Sequence, residues 1–134
     1  MERASRSFRA KCWVAAAARA LGRPVRWMSD RSEAMLTDNA GRDLLARAEL
    51  GFDADLKITG LRVHIVSNLG AYNSQFAQMI QTELYSKVLT GIYDIKTAHM
   101  GVLGVYTNTT PVDAYRGAGR PEANLTIERV MDHA

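Results

Sequence analysis

The sequence predicts an α+β domain in which helices pack on an antiparallel or mixed sheet. Two neighbouring segments alternate apolar and polar residues and are separated by a short turn, and segments with apolar residues at helical spacing flank them. The chain has 134 residues, 47% of them hydrophobic and 23% charged, which is typical of a globular domain with one core.

The N-terminal part of the chain is basic and polar before it becomes apolar. We predict a disordered terminus over residues 1–11 and the folded domain over residues 12–134. Apolar residues at helical spacing over residues 8–20, followed by Gly22 and Pro24, predict a first helix. A basic start before alanines also resembles a secretory signal, but the helical spacing favours a helix of the domain.

The middle of the chain predicts a hairpin. Val25–Met28 predicts a short strand, and Asp30–Asn39 predicts a polar connection or a short helical turn. Period-two alternation over Leu44–Asp53 predicts a half-buried strand. The same pattern over Lys57–Asn68 predicts its antiparallel partner.

The second half of the chain predicts one further strand between two helices. Gln75–Leu89 predicts a helix, because apolar residues recur in it at helical spacing. Ile92–Tyr106 is rich in β-branched residues and predicts a strand, with bulges at Gly101 and Gly104. Glu122–His133 predicts the last helix, and Leu125 and Val130 are expected on its apolar side, with Ile127 and Met131 as further members.

The segment Ala114–Ala123 places two glycines, two arginines and a helix start within ten residues. Gly117 and Gly119 lack a Cβ, so they can adopt backbone dihedrals closed to other residues, such as a positive φ, and a ligand can approach their main chain closely. Pro121 suits the first helical position, and the N–H groups at a helix start offer an anion site. These residues alone also fit an ordinary loop-to-helix junction, or a non-catalytic module that binds a phosphate or a nucleotide.

Other kinds of site find little support in the sequence. His64, His99 and His133 lie far from one another and from Cys12, so we predict no metal bound directly by protein side chains. A net charge of +3, and a short basic stretch over Arg3–Lys11 with no interleaved aromatic residue beyond Phe8, predict no nucleic-acid binding. No apolar run approaches the roughly 20 residues of a membrane span. A single cysteine fits a reducing compartment, and we expect a cytoplasmic protein.

Ala114–Ala123 resembles the molybdenum-cofactor loop of the xanthine dehydrogenase/aldehyde oxidase family, in its molybdopterin-binding large subunit. Further segments resemble the family in order and spacing from about Ala15 to the C-terminus. They are Gly22–Trp27, Asp30–Glu33, Leu45–Asp53, Lys57–Leu61 and Asn68–Tyr72. One departure is Leu56, which stands where the family has glycine. Leucine does not readily adopt the positive φ of a tight turn, so we expect a reshaped or destabilised turn.

The resemblance implies an oxidoreductase that acts on aldehydes or N-heterocycles and takes its oxygen from water. It implies a molybdenum–molybdopterin cofactor in a dinucleotide form, whose metal is held by the sulfurs of the pterin. Iron–sulfur clusters and FAD are expected only in partner subunits or domains. The cofactor-binding residues that the resemblance implies are Tyr115, Arg116, Gly117, Ala118 and Gly119.

The resemblance also bears on the small-molecule substrate. Ala118 and Leu84 stand where xanthine oxidases place a phenylalanine and a substrate-polarising arginine, so both are assigned to the substrate pocket and disfavour xanthine. Gly117 stands where carbon monoxide dehydrogenases carry a copper-binding cysteine, which disfavours that reaction.

The resemblance finally implies an interior fragment of the large subunit. Residues 1–11 lack the glycine-rich segment that the family has before the first helix, and the catalytic glutamate would lie beyond Ala134. We therefore expect no catalytic residue within these 134 residues and no activity of the chain alone.

Overall fold

A computed structural model describes the backbone of residues 2–134 and the side chains of residues 11–134. The elements in chain order are α1 (Glu2–Leu21), α2 (Arg31–Thr37), β1 (Leu44–Phe52), β2 (Ile58–Gly70), α3 (Ala77–Met79), a π-helix (Ile80–Leu84), β3 (Ala98–Tyr106) and α4 (Arg120–His133). Helices with one three-stranded sheet confirm the predicted α+β class.

The sheet is mixed, with the strand order β1-β2-β3. β1 and β2 form the predicted antiparallel hairpin, in which Leu50 pairs with Leu61. β2 and β3 run parallel, and Leu61 also pairs with Ala98. A parallel neighbour needs a crossover connection, and residues 71–97 provide it with α3 and the π-helix.

The hydrophobic core lies on one face of the sheet. Leu61, Val63 and Ile65 of β2 point inward and are buried, as the alternation predicts. The other buried members of this cluster are Tyr85, Leu89, Ala123 and Ile127, which come from the crossover and from α4. The sheet is therefore covered on this face by the crossover and by α4, the helix that follows the 114–119 loop.

The N-terminal helix extends further than the sequence predicts. α1 covers Glu2–Leu21, so its backbone includes most of the predicted disordered segment, which contains no glycine or proline to interrupt a helix. The side chains of residues 2–10, including Phe8 and the basic residues, lie outside the described part. The division of the chain between residues 11 and 12 stays a prediction. No helix within residues 2–134 is long and apolar enough to cross a membrane.

Three predicted strand features are wrong. Val25–Met28 forms no strand and lies outside the sheet. β3 begins at Ala98 rather than at Ile92, because turn hydrogen bonds occupy residues 90–95. Gly101 and Gly104 pair in an even register, and the irregularity of this strand pair lies between Asn68 and Gly70 of β2 instead.

The predicted helix over Gln75–Leu89 is only partly α-helical. Three residues of α3 precede the π-helix, and after it only Tyr85 and Ser86 are α-helical before turns continue to Leu89. The short helix predicted within Asp30–Asn39 is confirmed as α2. Asp30 caps it by accepting a hydrogen bond from the Glu33 main-chain N–H at 2.8 Å, while the Glu33 side chain accepts from the Asp30 N–H.

The β1–β2 turn keeps its hairpin geometry despite Leu56. The Asp53 carboxylate accepts hydrogen bonds from the N–H groups of Asp55 and Lys57, at 3.0 and 2.8 Å. These bonds hold Leu56 at a φ of 60°, with 81% of the residue exposed. The turn therefore contains a strained backbone conformation that the leucine side chain does not offset by burial.

Leu56→Gly is expected to raise the free energy of unfolding by about 1 kcal/mol, since glycine adopts positive φ without the penalty of a Cβ. Urea denaturation of the purified proteins measures the difference. Leu56→Ala is the matched control, because it keeps the strained φ and removes only exposed atoms. A glycine variant no more stable than the alanine variant would show that the turn is not strained.

Candidate functional site

The loop before α4 has an unusual main-chain conformation. Gly117, Ala118 and Gly119 have φ values of 91°, 25° and 85°, so three successive residues are positive. The Ala118 N–H donates to the Tyr115 carbonyl at 2.8 Å, and the Arg120 N–H donates to the Gly117 carbonyl at 3.3 Å. The glycine freedom that the sequence predicts is used at both positions, while the positive φ of Ala118 is an added strain.

The helix start behind this loop is confirmed. α4 begins at Arg120 with Gly119 as its N-cap residue and Pro121 in its first turn. Gly119 provides no side chain to cap the helix, and the Arg120 N–H donates to the Gly117 carbonyl instead. Pro121 has no N–H, so Glu122 carries the first-turn N–H that no side chain caps. The positive end of the helix dipole therefore lies at the loop.

Gly119 packs tightly against the π-helix. A Cβ placed on Gly119 would lie 2.5 Å from the Ile80 carbonyl oxygen and 3.0 Å from the Tyr85 nitrogen. Only glycine fits such an approach without displacing main-chain atoms. π-helical turns recur at functional sites, and this one brings its main chain directly against the loop.

Asp113 fixes the entry of the loop. Its buried carboxylate accepts hydrogen bonds from the N–H groups of Ala114 and Phe76, at 2.7 and 3.2 Å. It also accepts from the Asn39 side-chain amide at 3.3 Å, and the Asp113 N–H donates to the Ala40 carbonyl at 2.9 Å. No sequence signal marks Asp113, because its donors come from distant parts of the chain.

Arg42 contacts the loop from the segment before β1. Its guanidinium donates through Nη2 to the Arg116 carbonyl and lies 4.7 Å from the centroid of the Tyr115 ring. Its Nε lies 3.6 Å from Oε1 of Glu122, in the first turn of α4. One side chain thus contacts the loop and the helix that follows it.

Two buried acceptor oxygens, one in the π-helix and one in the first turn of α4, have no hydrogen-bond partner among the described residues. They are Oε1 of Gln81 and Oε2 of Glu122, in residues that are 3% and 7% exposed. An unpaired buried acceptor costs about 1–3 kcal/mol, so N–H donors from a ligand or from other protein would stabilise both. A heterocycle rich in N–H groups fits this requirement, whereas the Glu122 carboxylate would repel a bare phosphate.

Tyr85 connects the end of the π-helix with α4. Its hydroxyl donates to Oγ1 of Thr126 at 2.7 Å, and the Thr126 hydroxyl donates to the Glu122 carbonyl at 2.9 Å. Burial raises the pKa of Tyr85, the hydrogen bond to Thr126 partly opposes this, and the Glu122 charge adds to the increase. Tyr85 therefore serves as a neutral donor that links the π-helix to α4.

The structure brings the predicted site residues together at one place in the fold. Tyr115 and Arg116 are exposed, Ala118 is half-buried, and the half-buried Leu84 has its carbonyl carbon 3.2 Å from the Cβ position of Gly119. Their assignment to cofactor and substrate stays a prediction. Among the described residues, no group of three or more His, Cys, Asp or Glu side chains could hold a metal ion.

A mixed sheet covered by a crossover and a helix, with a glycine loop at the helix start, is the architecture of an α+β domain. The chain belongs to the family of molybdopterin cofactor-binding domains, whose sequence profile matches residues 3–134. The predicted family is thereby confirmed.

Relatives of known activity and known structure support this assignment. The chain is 37% identical over 118 residues to the gamma subunit of the 6-hydroxypseudooxynicotine dehydrogenase complex of Paenarthrobacter nicotinovorans. This match covers 88% of the chain and 15% of that subunit. It is 41% identical over 114 residues to the carbon monoxide dehydrogenase large chain of Hydrogenophaga pseudoflava, covering 84% of the chain and 14% of the relative. The chain thus spans about a seventh of the length of these curated relatives.

Two solved structures share the fold. Quinoline 2-oxidoreductase from Pseudomonas putida 86 superimposes with a TM-score of 0.75 and 28% identity, over 89% of the chain and 17% of the solved chain. Carbon monoxide dehydrogenase from Oligotropha carboxidovorans superimposes with a TM-score of 0.79 and 34% identity, over 90% of the chain and 15% of the solved chain.

Proposed function

We propose that this chain forms one wall of the molybdopterin site in a molybdenum hydroxylase, an oxidoreductase of aldehydes or N-heterocycles that uses water as the oxygen source. The observation that carries the proposal is the strained 115–119 loop, packed on a π-helix, with two unpartnered buried acceptors beside it. The activities named for the relatives support the same reaction class.

The loop residues have distinct proposed roles. Tyr115, Arg116, Gly117, Ala118 and Gly119 would line the cofactor through main-chain atoms, because Gly117 and Gly119 leave the loop backbone accessible. Gln81 and Glu122 would accept hydrogen bonds from its N–H groups. When bound, the cofactor supplies the transfer of oxygen and accepts the electrons of the substrate.

The remaining components of such an enzyme are proposals of the same kind. We infer a dinucleotide form of the molybdopterin, and partner subunits or domains that carry iron–sulfur clusters and FAD. The naming of one relative as a subunit of a dehydrogenase complex supports partner subunits. The exposed free thiol of Cys12 supports a reducing, cytoplasmic location.

The side chains near the loop favour an apolar substrate. Ala118 and Leu84 offer methyl and branched aliphatic groups and no charge that could polarise a purine. An N-heterocycle or an aldehyde without further polar groups fits such a lining better than xanthine does. The relatives named for quinoline and for a nicotine derivative support the N-heterocycle branch.

The content of molybdenum and pterin tests the proposal. The natural protein that contains these 134 residues is translated from its complete reading frame in a host that makes molybdopterin, and is then purified. Molybdenum is quantified by mass spectrometry and pterin by fluorescence. We expect about one of each per chain. Folded protein that retains neither component contradicts the proposed function.

A pair of glutamine variants tests the role of the buried acceptor. Gln81→Leu removes the unpartnered oxygen without a change of charge, and Gln78→Leu alters an exposed residue of the neighbouring α3. We expect the pterin content of Gln81→Leu to fall roughly tenfold, because one buried hydrogen bond is lost. Gln78→Leu should keep the pterin content of the unaltered protein. Equal pterin content in the two variants would exclude Gln81 as a contact.

The alternative function, a non-catalytic module for phosphate or nucleotides, rests on the uncapped start of α4. The buried carboxylate of Glu122 in the same turn opposes an anion there. Titration with inorganic phosphate and with AMP, followed by the amide chemical shift of Gly119, distinguishes the two functions. Saturable shifts in protein that retains no molybdopterin would favour the alternative.

A further inference from the structure

We propose that Arg42 is a positioning residue that holds the Tyr115–Gly119 main chain in its ligand-binding shape. Only one consequence of the proposal, the retention of molybdopterin, rests on the proposed function. The shape of the loop and its dependence on Arg42 are properties of the chain alone and can be measured without any cofactor.

A single guanidinium makes the contacts that the proposal needs. Its Nη2 donates to the Arg116 carbonyl, and its Cζ lies 4.7 Å from the centroid of the Tyr115 ring. Its Nε lies 3.6 Å from Oε1 of Glu122. Arginine can do this because its planar group donates along its edges and contacts aromatic rings with its face. Lysine, a point charge on a flexible stem, cannot make the three contacts together.

The approach of Arg42 to the loop is built into the backbone. Residues 39–42 run beside residues 111–116, with a parallel bridge between Ala40 and Val112. A Cβ on Gly41 would lie 3.0 Å from the Cβ of Tyr115, so the two segments are in close contact. Arg42 itself has a φ of 58°, a strained value that the neighbouring segment maintains.

The loop requires such a restraint because its conformation is intrinsically unfavourable. A positive φ at Ala118 costs energy that the isolated segment would release by relaxing. Asp113 fixes the start of the loop, and Gly119 fixes its end against the π-helix. Arg42 fixes the middle at Arg116, which lies between these two points.

Arg42 also matches the charge of the buried Glu122. The Glu122 side chain is 6% exposed and has the Arg42 guanidinium beside Oε1, which leaves Oε2 as an acceptor for a ligand. Loss of Arg42 would leave a buried, uncompensated carboxylate in the first turn of α4. We therefore expect that Glu122→Gln partly corrects the loss of Arg42, since the amide carries no charge.

Amide hydrogen exchange of the purified chain tests the proposal. We expect Arg42→Ala to speed exchange of the Ala118 amide, which donates to the Tyr115 carbonyl, roughly tenfold, the equivalent of one hydrogen bond to a charged group. The amides of β2 should keep their protection. Arg42→Lys should behave like Arg42→Ala in the loop, because lysine lacks the planar group. Arg47→Ala is the matched control, since Arg47 is an exposed arginine of β1 that pairs with Glu49.

The double variant Arg42→Ala/Glu122→Gln separates the two effects of Arg42. We expect the amides at the start of α4 to regain protection, while the Ala118 amide stays fast because the bond to the Arg116 carbonyl is still missing. Loop exchange in Arg42→Ala no faster than in Arg47→Ala overturns the proposal. Equal acceleration in β2 also overturns it, since Arg42 would then stabilise the whole fold.

Molybdopterin content measures separately whether the shape of the loop affects retention of the cofactor. In the translation product used above, Arg42→Lys should lose roughly tenfold in pterin content relative to Arg47→Ala, in line with its loop exchange. An unaltered protein without cofactor refutes the proposed function but leaves the exchange result intact. Full cofactor in Arg42→Lys together with a fast loop refutes the link between loop shape and binding.

Discussion

Gly119→Ala is expected to lower the free energy of unfolding by about 3 kcal/mol, the sum of a forced positive φ and an overpacked contact. The φ of Gly119 is 85°, and a Cβ there would meet the Ile80 carbonyl oxygen at 2.5 Å. The Cβ is fixed directly to the main chain and the Ile80 oxygen belongs to it, so no side-chain rotation relieves the clash. The loop or the π-helix would have to move, and with it the two unpartnered acceptors, so we also expect loss of bound molybdopterin.

Gly22→Ala is the matched control for this prediction. Gly22 also has a positive φ, 63°, but a Cβ there would have nothing within 4 Å. Its substitution should therefore cost only the dihedral penalty, about 1 kcal/mol. Urea denaturation followed by circular dichroism measures both variants. Equal losses at the two glycines would mean that the contact with the π-helix contributes nothing.

The sheet illustrates which parts of the fold the sequence predicts well. Alternation over β2 predicts its buried face correctly, because burying one face of a strand imposes period two on the residues themselves. The parallel pairing of Leu61 with Ala98 has no comparable signal. It depends on how residues 71–97 return the chain to the sheet, and the sequence leaves an antiparallel or mixed sheet open for that reason.

The helices show where periodicity fails. Of the residues predicted on the apolar side of α4, Ile127 is buried beside Ala123, whereas Leu125 is 62% exposed. The apolar residues of α4 are few, so contacts with the sheet decide its orientation. In the crossover the π-helix adds one residue to the turn, and Gln81 and Tyr85 are buried. α-Helical spacing from Ile80 predicts that Leu84 is buried instead.

The candidate site also contains residues that the sequence predicts and residues that it does not. The glycines of the loop are local features, and their positive φ is predicted from the sequence and confirmed. Arg42 is missed because 74 positions separate it from Arg116, whose carbonyl it contacts. Gln81 is missed because an amide in a predicted amphipathic helix gives no indication that it is buried. Short-range chemistry is visible in the sequence, whereas the residues that hold the loop in place are brought there by the fold.

Asp113→Ala is expected to lower the free energy of unfolding by about 3 kcal/mol, because buried hydrogen bonds to a carboxylate contribute about 1.5–3 kcal/mol each and part of the loss is recovered by relaxation. The N–H groups of Phe76 and Ala114 and the Asn39 amide would lose their acceptor together. Denaturation in urea measures the loss, and Asp55→Ala in the exposed hairpin turn should change stability by less than about 0.5 kcal/mol.

Asp113→Asn distinguishes the geometry of this anchor from its charge. Asparagine keeps one oxygen, which can still accept from the N–H groups of Ala114 and Phe76. Its amide nitrogen would face Asn39, which can rotate its own amide and offer the oxygen instead. We therefore expect Asp113→Asn to lose less than half as much stability as Asp113→Ala and to keep the loop amides protected. If the two variants lose the same stability, the charge of Asp113, rather than its position as an acceptor, fixes the start of the loop.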